Sequence, residues 1–331
     1  MSYIPTRPRR PIRRTAVLPL LATVAIGVAG CSTGSSEDSG PSTTEGPLSS
    51  IQFVNPLPNY PAWKTTGQCM KEAADDRGVP FRESGPTGSA MDATVMIQQV
   101  QQAISNKAGA IVTMQASDGF TPVLQQAQAD GIVTGTFYGP GGADSGADVN
   151  AGPDWSDIAG QVIGGISDQP GQHVVGLVAS GSSGLGKLWL DGIKAAAAKT
   201  DNVTIVGEVY TSDDAAKALP QVNALLTAHP DITDIATHMG TTTPGAVAAI
   251  KAQGLKGKTF LVVGGHDNGG NEAIADGYAR SMLLQDVCGL GKDMVNGVIG
   301  VSEGKPAPQV PVRVAVVDAD EITSYLDKGW V

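Results

Sequence analysis

Cysteine, aromatic side chains and positive charge are all scarce in this 331-residue chain, and each shortage excludes a class of protein. Three cysteines (Cys31, Cys69, Cys288) are too few for a disulfide-dense scaffold and too far apart for a zinc clip. Aromatics make up 5% of the residues while glycines number 43, a balance that suits tight βα turns better than a β-sandwich. The 22 Lys and Arg face 32 Asp and Glu, and five of the arginines (Arg7, Arg9, Arg10, Arg13, Arg14) stand near the start. Without residues 1–30 the balance is 17 − 32 = −15. A polyanion of this kind does not hold nucleic acid by neutralising phosphates, nor adhere to anionic lipid by charge. The four histidines (His173, His229, His238, His266) show no metal-ligand spacing, and no Gly-x-Ser-x-Gly nucleophile elbow is present. With no nucleophile–base set to assemble, the chain reads as a binding protein, with no catalysis, cofactor or metal expected. The one long apolar stretch, Ala16–Gly30, is broken by Pro19, and at about 1.5 Å per residue it falls short of a roughly 30 Å hydrocarbon core.

What is present at the start has an order. A basic segment, the apolar stretch and then Val28-Ala29-Gly30-Cys31 make a secretory signal with a small-residue cleavage site. The last four residues resemble the lipobox of bacterial lipoproteins. That likeness implies a signal over 1–30, lipidation of Cys31 and a mature protein held on the outer face of the cytoplasmic membrane. Arg13-Arg14 is compatible with twin-arginine export. Residues 31–50, rich in Ser, Thr, Gly and Pro, have no apolar periodicity and read as a tether reaching about 25 Å.

From Ile51 onward, short β-branched runs alternate with helical patterns. The first half gives strands at 51–55, 80–83, 110–114 and 132–137, each followed by a helical stretch. The second half repeats this with strands at 173–179, 203–210, 234–237 and 259–263, then strands at 280–284 and 310–317 flanking a helix near 287–303. Ser117-Asp118 is placed to cap a helix, Gly254 and Gly277 to end two others, and Pro220 to kink one. Continuous apolar strands alternating with helices mean parallel sheets covered on both faces. The count predicts an α/β protein of two doubly wound parallel-sheet lobes, with ligands bound beyond the carboxyl ends of the strands.

Gly181-Ser182-Ser183-Gly184-Leu185-Gly186-Lys187-Leu188 nearly completes a P-loop, but Leu188 stands where a magnesium-binding Ser or Thr belongs. Lys187, in the first turn of the next helix, is read instead as reaching a polar ligand. With Cys31 assigned to the anchor, Cys69 and Cys288 are left either to pair in an oxidising compartment or to stand as two separate buried thiols.

Several segments together carry a family likeness: Leu225-Leu226-Thr227-Ala228-His229-Pro230-Asp231-Ile232, Val262-Val263-Gly264 before His266, Ala273-Ile274-Ala275-Asp276-Gly277, Pro122 to Gly131 leading into Ile132-Val133, and Gln285. In this order they resemble the ribose-type, or type I, periplasmic solute-binding proteins of ABC sugar importers, over about residues 50–317. The resemblance implies two lobes joined by a three-crossing hinge, one formed by 51–150 plus 286–308 and the other by 151–285 plus 309–331. It implies a small ligand enclosed between them, a permease as partner and a monomer. It also brings the helices starting near Pro61 and Asp286 side by side in one lobe, so that Cys69 and Cys288 could meet.

Carried over by position, the family's first-loop asparagine matches Asn59, with Tyr60 and Trp63 beside it, and the third strand end offers Gln115. The family's Asp-Arg pair falls on Phe137-Tyr138, and the arginine of the second lobe on Lys187. The following loop brings Asp213; the next strand end brings Met239 in place of asparagine. The aspartate after Val-Val-Gly becomes His266, with Asp267 adjacent, while Gln285 is retained. Losing the Asp-Arg pair exchanges a charge-assisted grip on vicinal hydroxyls for an apolar ring and one phenol, which either stack on the flat face of a ligand or pack beneath the loop. The ligand implied is a neutral sugar, a polyol or a similar small cyclic compound. Delivery to a permease and reporting to a membrane kinase or chemoreceptor are both compatible with such a pocket.

Overall fold

A computed structural model describes residues 48–331 except 89, 90, 140 and 267. The signal, Cys31, most of the tether and Asp267 therefore lie outside the described residues. Two six-stranded sheets form, and each begins with the same winding. In the first, β1 (Ile51–Val54) lies between β2 (Phe81–Ser84) and β3 (Ala110–Met114), followed outward by β4 (Val133–Phe137), β5 (Val149–Gly152) and β11 (Gln309–Pro311), all parallel. In the second, β6 (His173–Ala179) lies between β7 (Val203–Tyr210) and β8 (Asp234–Thr237), followed by β9 (Phe260–Val263), β10 (Ala279–Gln285) and β12 (Val314–Asp318). Among the described strands only β12 runs antiparallel, against β10.

The central strands read as buried throughout, because helices cover both faces. Over the first sheet α1 (Pro61–Asp76) packs beside α9 (Val287–Ser302), and α2 (Ala93–Ser105) packs beside α3 (Phe120–Ala129). Over the second, α4 (Trp155–Ser167) pairs with α5 (Gly184–Ala197), and α6 (Ala215–Ala228) pairs with α7 (Thr243–Ala252), with α8 (Gly270–Ala275) next to α7. Ile51, Phe53, Met96, Ile111, Leu124 and Met294 belong to one apolar cluster in the first lobe. The second lobe holds two, one with the α4–α5 side and one with the α6–α7 side.

Three crossings join the lobes, after Gly152, after Gln285 and after Pro311. The second follows the end of β10. The third corrects the expected boundary: residues 309–311 pair with Asn150–Gly152 in the first sheet, and the run read as one strand over 310–317 is two strands in two sheets. Gly254 and Gly277 end α7 and α8 at positive φ as expected. The cap of α3 is a correction, since Gly119 holds that position and Ser117 and Asp118 contribute backbone carbonyls instead. A short C-terminal helix, α10 (Ile322–Leu326), was not foreseen.

Cys69 and Cys288 form a disulfide between α1 and α9, with Cα atoms 5.2 Å apart. The close approach depends on Gly291, where a Cβ would meet the Thr66 carbonyl oxygen at 2.9 Å. Among the described residues no helix is long and apolar enough to cross a membrane, and no cluster of His, Cys, Asp or Glu could hold a metal ion.

Candidate functional site

In each sheet the strand order reverses beside the first strand, β1 in one lobe and β6 in the other, and the loops at that reversal open a crevice at the carboxyl edge. In the first lobe the crevice is built by Asn55, which follows β1. Its Nδ2 donates to the Trp63 carbonyl (3.1 Å) and to Glu83 Oε1 (2.8 Å), and its Oδ1 accepts from Leu57 N (3.0 Å). This fully buried asparagine, not Asn59, shapes the loop. Asn59 is exposed, with Nδ2 3.5 Å from the Thr87 carbonyl, in a surface depression of about 380 Å³ beside Glu83 and Gly85.

Trp63 is half-buried and meets Phe53, Phe137 and Tyr138 at ring-centre distances of 6.4, 5.6 and 6.0 Å. Phe137 is 0% exposed and lies edge-on to Phe53 and Trp63. The stacking role expected of Phe137 is thereby corrected: the pleat turns it into the core beneath Trp63. Tyr138 adopts φ +54°, a left-handed conformation uncommon for an aromatic residue. Its hydroxyl donates to Gln285 Oε1 at 2.9 Å, tying the end of β4 to the second crossing. Burial pushes this phenol up to about 12, so it stays a neutral donor. Gln115 donates through Nε2 to the Ser145 carbonyl (2.9 Å), while its Oε1 is buried and unpaired. Tyr60, half-buried, is the N-cap of α1.

Across the second reversal Ser180, after β6, and His238, after β8, face each other with Oγ and Nδ1 3.1 Å apart. The imidazole lies between Trp189 and Trp155, at ring-centre distances of 5.3 and 6.1 Å. Desolvation there holds its pKa down to about 4, so His238 is neutral at pH 7. The next loops carry four buried polar atoms without partners: Thr241 Oγ1, Thr243 Oγ1, His266 Nε2 and Asn271 Oδ1. Seven such atoms occur among the described residues, so more than half gather at the ends of β8 and β9. Leaving each unmet costs about 1–3 kcal/mol in a folded core, a strong reason to look for a visiting partner.

Three further expected residues complete the set. Lys187 is exposed and bonds Asp191 one turn along its own helix, so its charge is spent outside the crevice. Met239 is half-buried, with its carbonyl accepting from Thr242 Oγ1 (2.7 Å). Asp213 is exposed in a turn of two left-handed residues, Ser212 and Asp213, and loss of hydration around its carboxyl raises its pKa. The second surface depression, near Lys194 and Thr204, lies away from these loops. Neither depression is the enclosed chamber between lobes that the resemblance implies.

The model of the periplasmic binding protein domain family matches residues 51–306. The chain belongs to that family. No curated protein matches this family member significantly. Among solved structures it is similar to a solute-binding protein from Burkholderia graminis in complex with D-arabinose, at 21% identity and a TM-score of 0.74, covering 84% of this chain and 97% of that one. It also resembles GanP, a glucose-galactose binding protein from Geobacillus stearothermophilus, at 17% identity and a TM-score of 0.74, covering 83% and 99%. A solute-binding protein from Actinobacillus succinogenes with bound D-allose is similar at 19% identity and a TM-score of 0.71, covering 84% and 100%. At these identities the neighbours establish the two-lobed fold of this periplasmic binding protein and leave its ligand to the residues.

Several residues at or beside the strand ends were not singled out from sequence: Asn55, Trp155, His238, Thr241, Thr243 and Asn271. A signal existed for some of them. Trp155 directly follows the Gly152-Pro153-Asp154 crossing, and the run Thr241-Thr242-Thr243-Pro244 sits where a strand end meets a helix.

Proposed function

We propose that the protein is the extracytoplasmic binding component of an ABC importer, anchored through Cys31, which captures an uncharged sugar or polyol between its lobes and presents it to a permease. The observation that carries this is the set of unpaired buried polar atoms at the facing strand ends, Gln115 in one lobe and Thr241, Thr243, His266 and Asn271 in the other. Hydroxyl groups both donate and accept, so a polyhydroxylated guest matches this mixed set in kind. Tyr138 and His238 are neutral at pH 7 and the Lys187 charge is engaged, which favours an uncharged ligand. Trp63 and Tyr138 on one side, with Trp155 on the other, provide ring faces for the C–H side of a sugar. Hinge opening gives access, and only a ligand that prefers the closed arrangement shifts the equilibrium toward it.

A thermal-shift series with D-arabinose, D-allose, D-glucose, D-galactose and neutral polyols tests the reading. A binder at one hundred times its Kd stabilises by about 2.7 kcal/mol, which raises the melting temperature. A flat response to every member at millimolar concentration contradicts it.

A further inference from the structure

The second crossing leaves β10 at Gln285, and the backbone there is held from two sides. Toward β12, Asp286 N donates to the Arg313 carbonyl at 3.1 Å. On the other side β9 has already ended at Val263, paired with Met282, and leaves that flank of residues 283–285 open. Val331 takes the place. Gln285 N donates to the backbone oxygen of Val331 at 2.7 Å, and Val331 N donates back to the Gln285 carbonyl at 3.0 Å. The side chain of the same glutamine accepts from the Tyr138 hydroxyl of the first lobe at 2.9 Å. Gln285 is thus gripped by the first lobe through its side chain and by a remote segment through its backbone.

That segment runs back from the far edge of the second sheet. Because β12 is antiparallel to β10, its end at Asp318 lies at the edge where the parallel strands begin. The chain then returns to the hinge through α10, along the α6–α7 side of the lobe. There Ile322, Tyr325, Leu326 and Trp330 pack against the apolar cluster. Gly329, at φ +79°, turns the chain after α10, and Trp330 N donates to the Tyr325 carbonyl at 3.2 Å. The turn lays the Trp330 ring edge-on to Tyr325, with 5.0 Å between ring centres. A helix of five residues has little stability of its own, and no residue of α10 is fully buried. The segment therefore stays down through half-buried side chains and one reciprocal backbone pair, a combination that opens locally at low cost.

We propose that residues 319–331 form a strap that brakes the hinge. Docked, it pins Gln285 and narrows the range of lobe separations; released, it frees the second crossing. Its effect reaches the first lobe through one side chain, since a Gln285 loosened in its backbone no longer holds its amide steady under Tyr138. The strap lies beyond residues 51–306, the stretch that the family model matches.

Amide hydrogen exchange on the whole ligand-free protein tests the brake. Trp330→Ala removes the ring that anchors the strap, whereas Val331→Pro removes the N–H given to Gln285 and leaves Trp330 in place. Each should speed exchange at Gln285 about tenfold, the effect of one backbone hydrogen bond. A brake requires more. The amides of Asp286 and of Tyr138, which donates to the Ala151 carbonyl at 2.7 Å, should quicken too, though neither bonds to the strap. Amides of β8 should keep their protection, and Trp330→Phe should exchange as the wild type does. X-ray scattering from the first two variants should show a wider distribution of pair distances. Val331→Pro decides alone should Trp330→Ala also expose β8. Faster exchange confined to Gln285 and Val331, with scattering unchanged, overturns the brake and leaves a passive cover. Unchanged exchange at Gln285 in Val331→Pro overturns the strap itself.

Discussion

His238 makes the pH behaviour of the protein legible from one side chain. Its pKa is about 4 in the folded protein against an ordinary 6.5, so between those values the unfolded chain holds the extra proton. Stability is therefore full above pH 6.5 and is lost as pH falls toward 4, by at most about 3 kcal/mol from this group. Melting temperatures measured from pH 7 to 4 should drop over that window, and His238→Gln should flatten the part due to the imidazole; an unchanged slope would reject the assignment. Trp63→Ala should weaken ligand binding more than tenfold, read by calorimetry, while the same affinity in the variant would remove Trp63 from the pocket wall. Phe137 shows why single residues were the least legible from sequence. An apolar ring at a strand end looks the same whether it faces a guest or the core, and only the pleat of β4 and the position of Trp63 above it decide. Lys187 shows a related ambiguity: an acid four residues along the same helix pairs with the charge that its position alone assigns to a ligand.

The elements themselves were largely legible. Buried parallel strands carry unbroken apolar runs, and His173–Ala179, Val203–Tyr210 and Asp234–Thr237 begin and end where their residues indicate. The run over 310–317 misled because a crossing strand keeps its apolar character while it leaves one sheet and enters another. At the opposite edge of the second sheet from the crevice, Asp234 is fully buried where four strands begin. It accepts from Thr233 Oγ1 (2.8 Å) and Arg280 Nε (3.0 Å) and meets His173 Nδ1 at 2.7 Å. Asp234→Ala strands these partners and should cost about 3–5 kcal/mol in chemical denaturation. A loss below about 1 kcal/mol would show the network to be dispensable. The disulfide ties α1, which carries Trp63, to α9, which begins two residues after Gln285. Replacing both cysteines by serine should cost about 2–5 kcal/mol. The unreduced folded protein should resist thiol labelling at Cys69 and Cys288, and immediate labelling at either would exclude the bridge.

At the scale of the whole molecule, the repeat of one winding in two lobes puts two sets of strand-end loops on the hinge side, within the residues that the family model matches. The resemblance in the sequence indicated the lobes and the disulfide. It did not indicate the polar cluster, because Thr241, Thr243 and Asn271 are ordinary loop residues until the fold buries their oxygens without partners. The account depends on one guest spanning both lobes. The most direct measurement is a crystal structure of the protein grown with the sugar that most raises its melting temperature. The account predicts electron density for that sugar between the lobes, bonded to Gln115 on one side and to His266, Thr243 or Asn271 on the other. Density confined to the depression beside Asn59, or touching a single lobe, would contradict it.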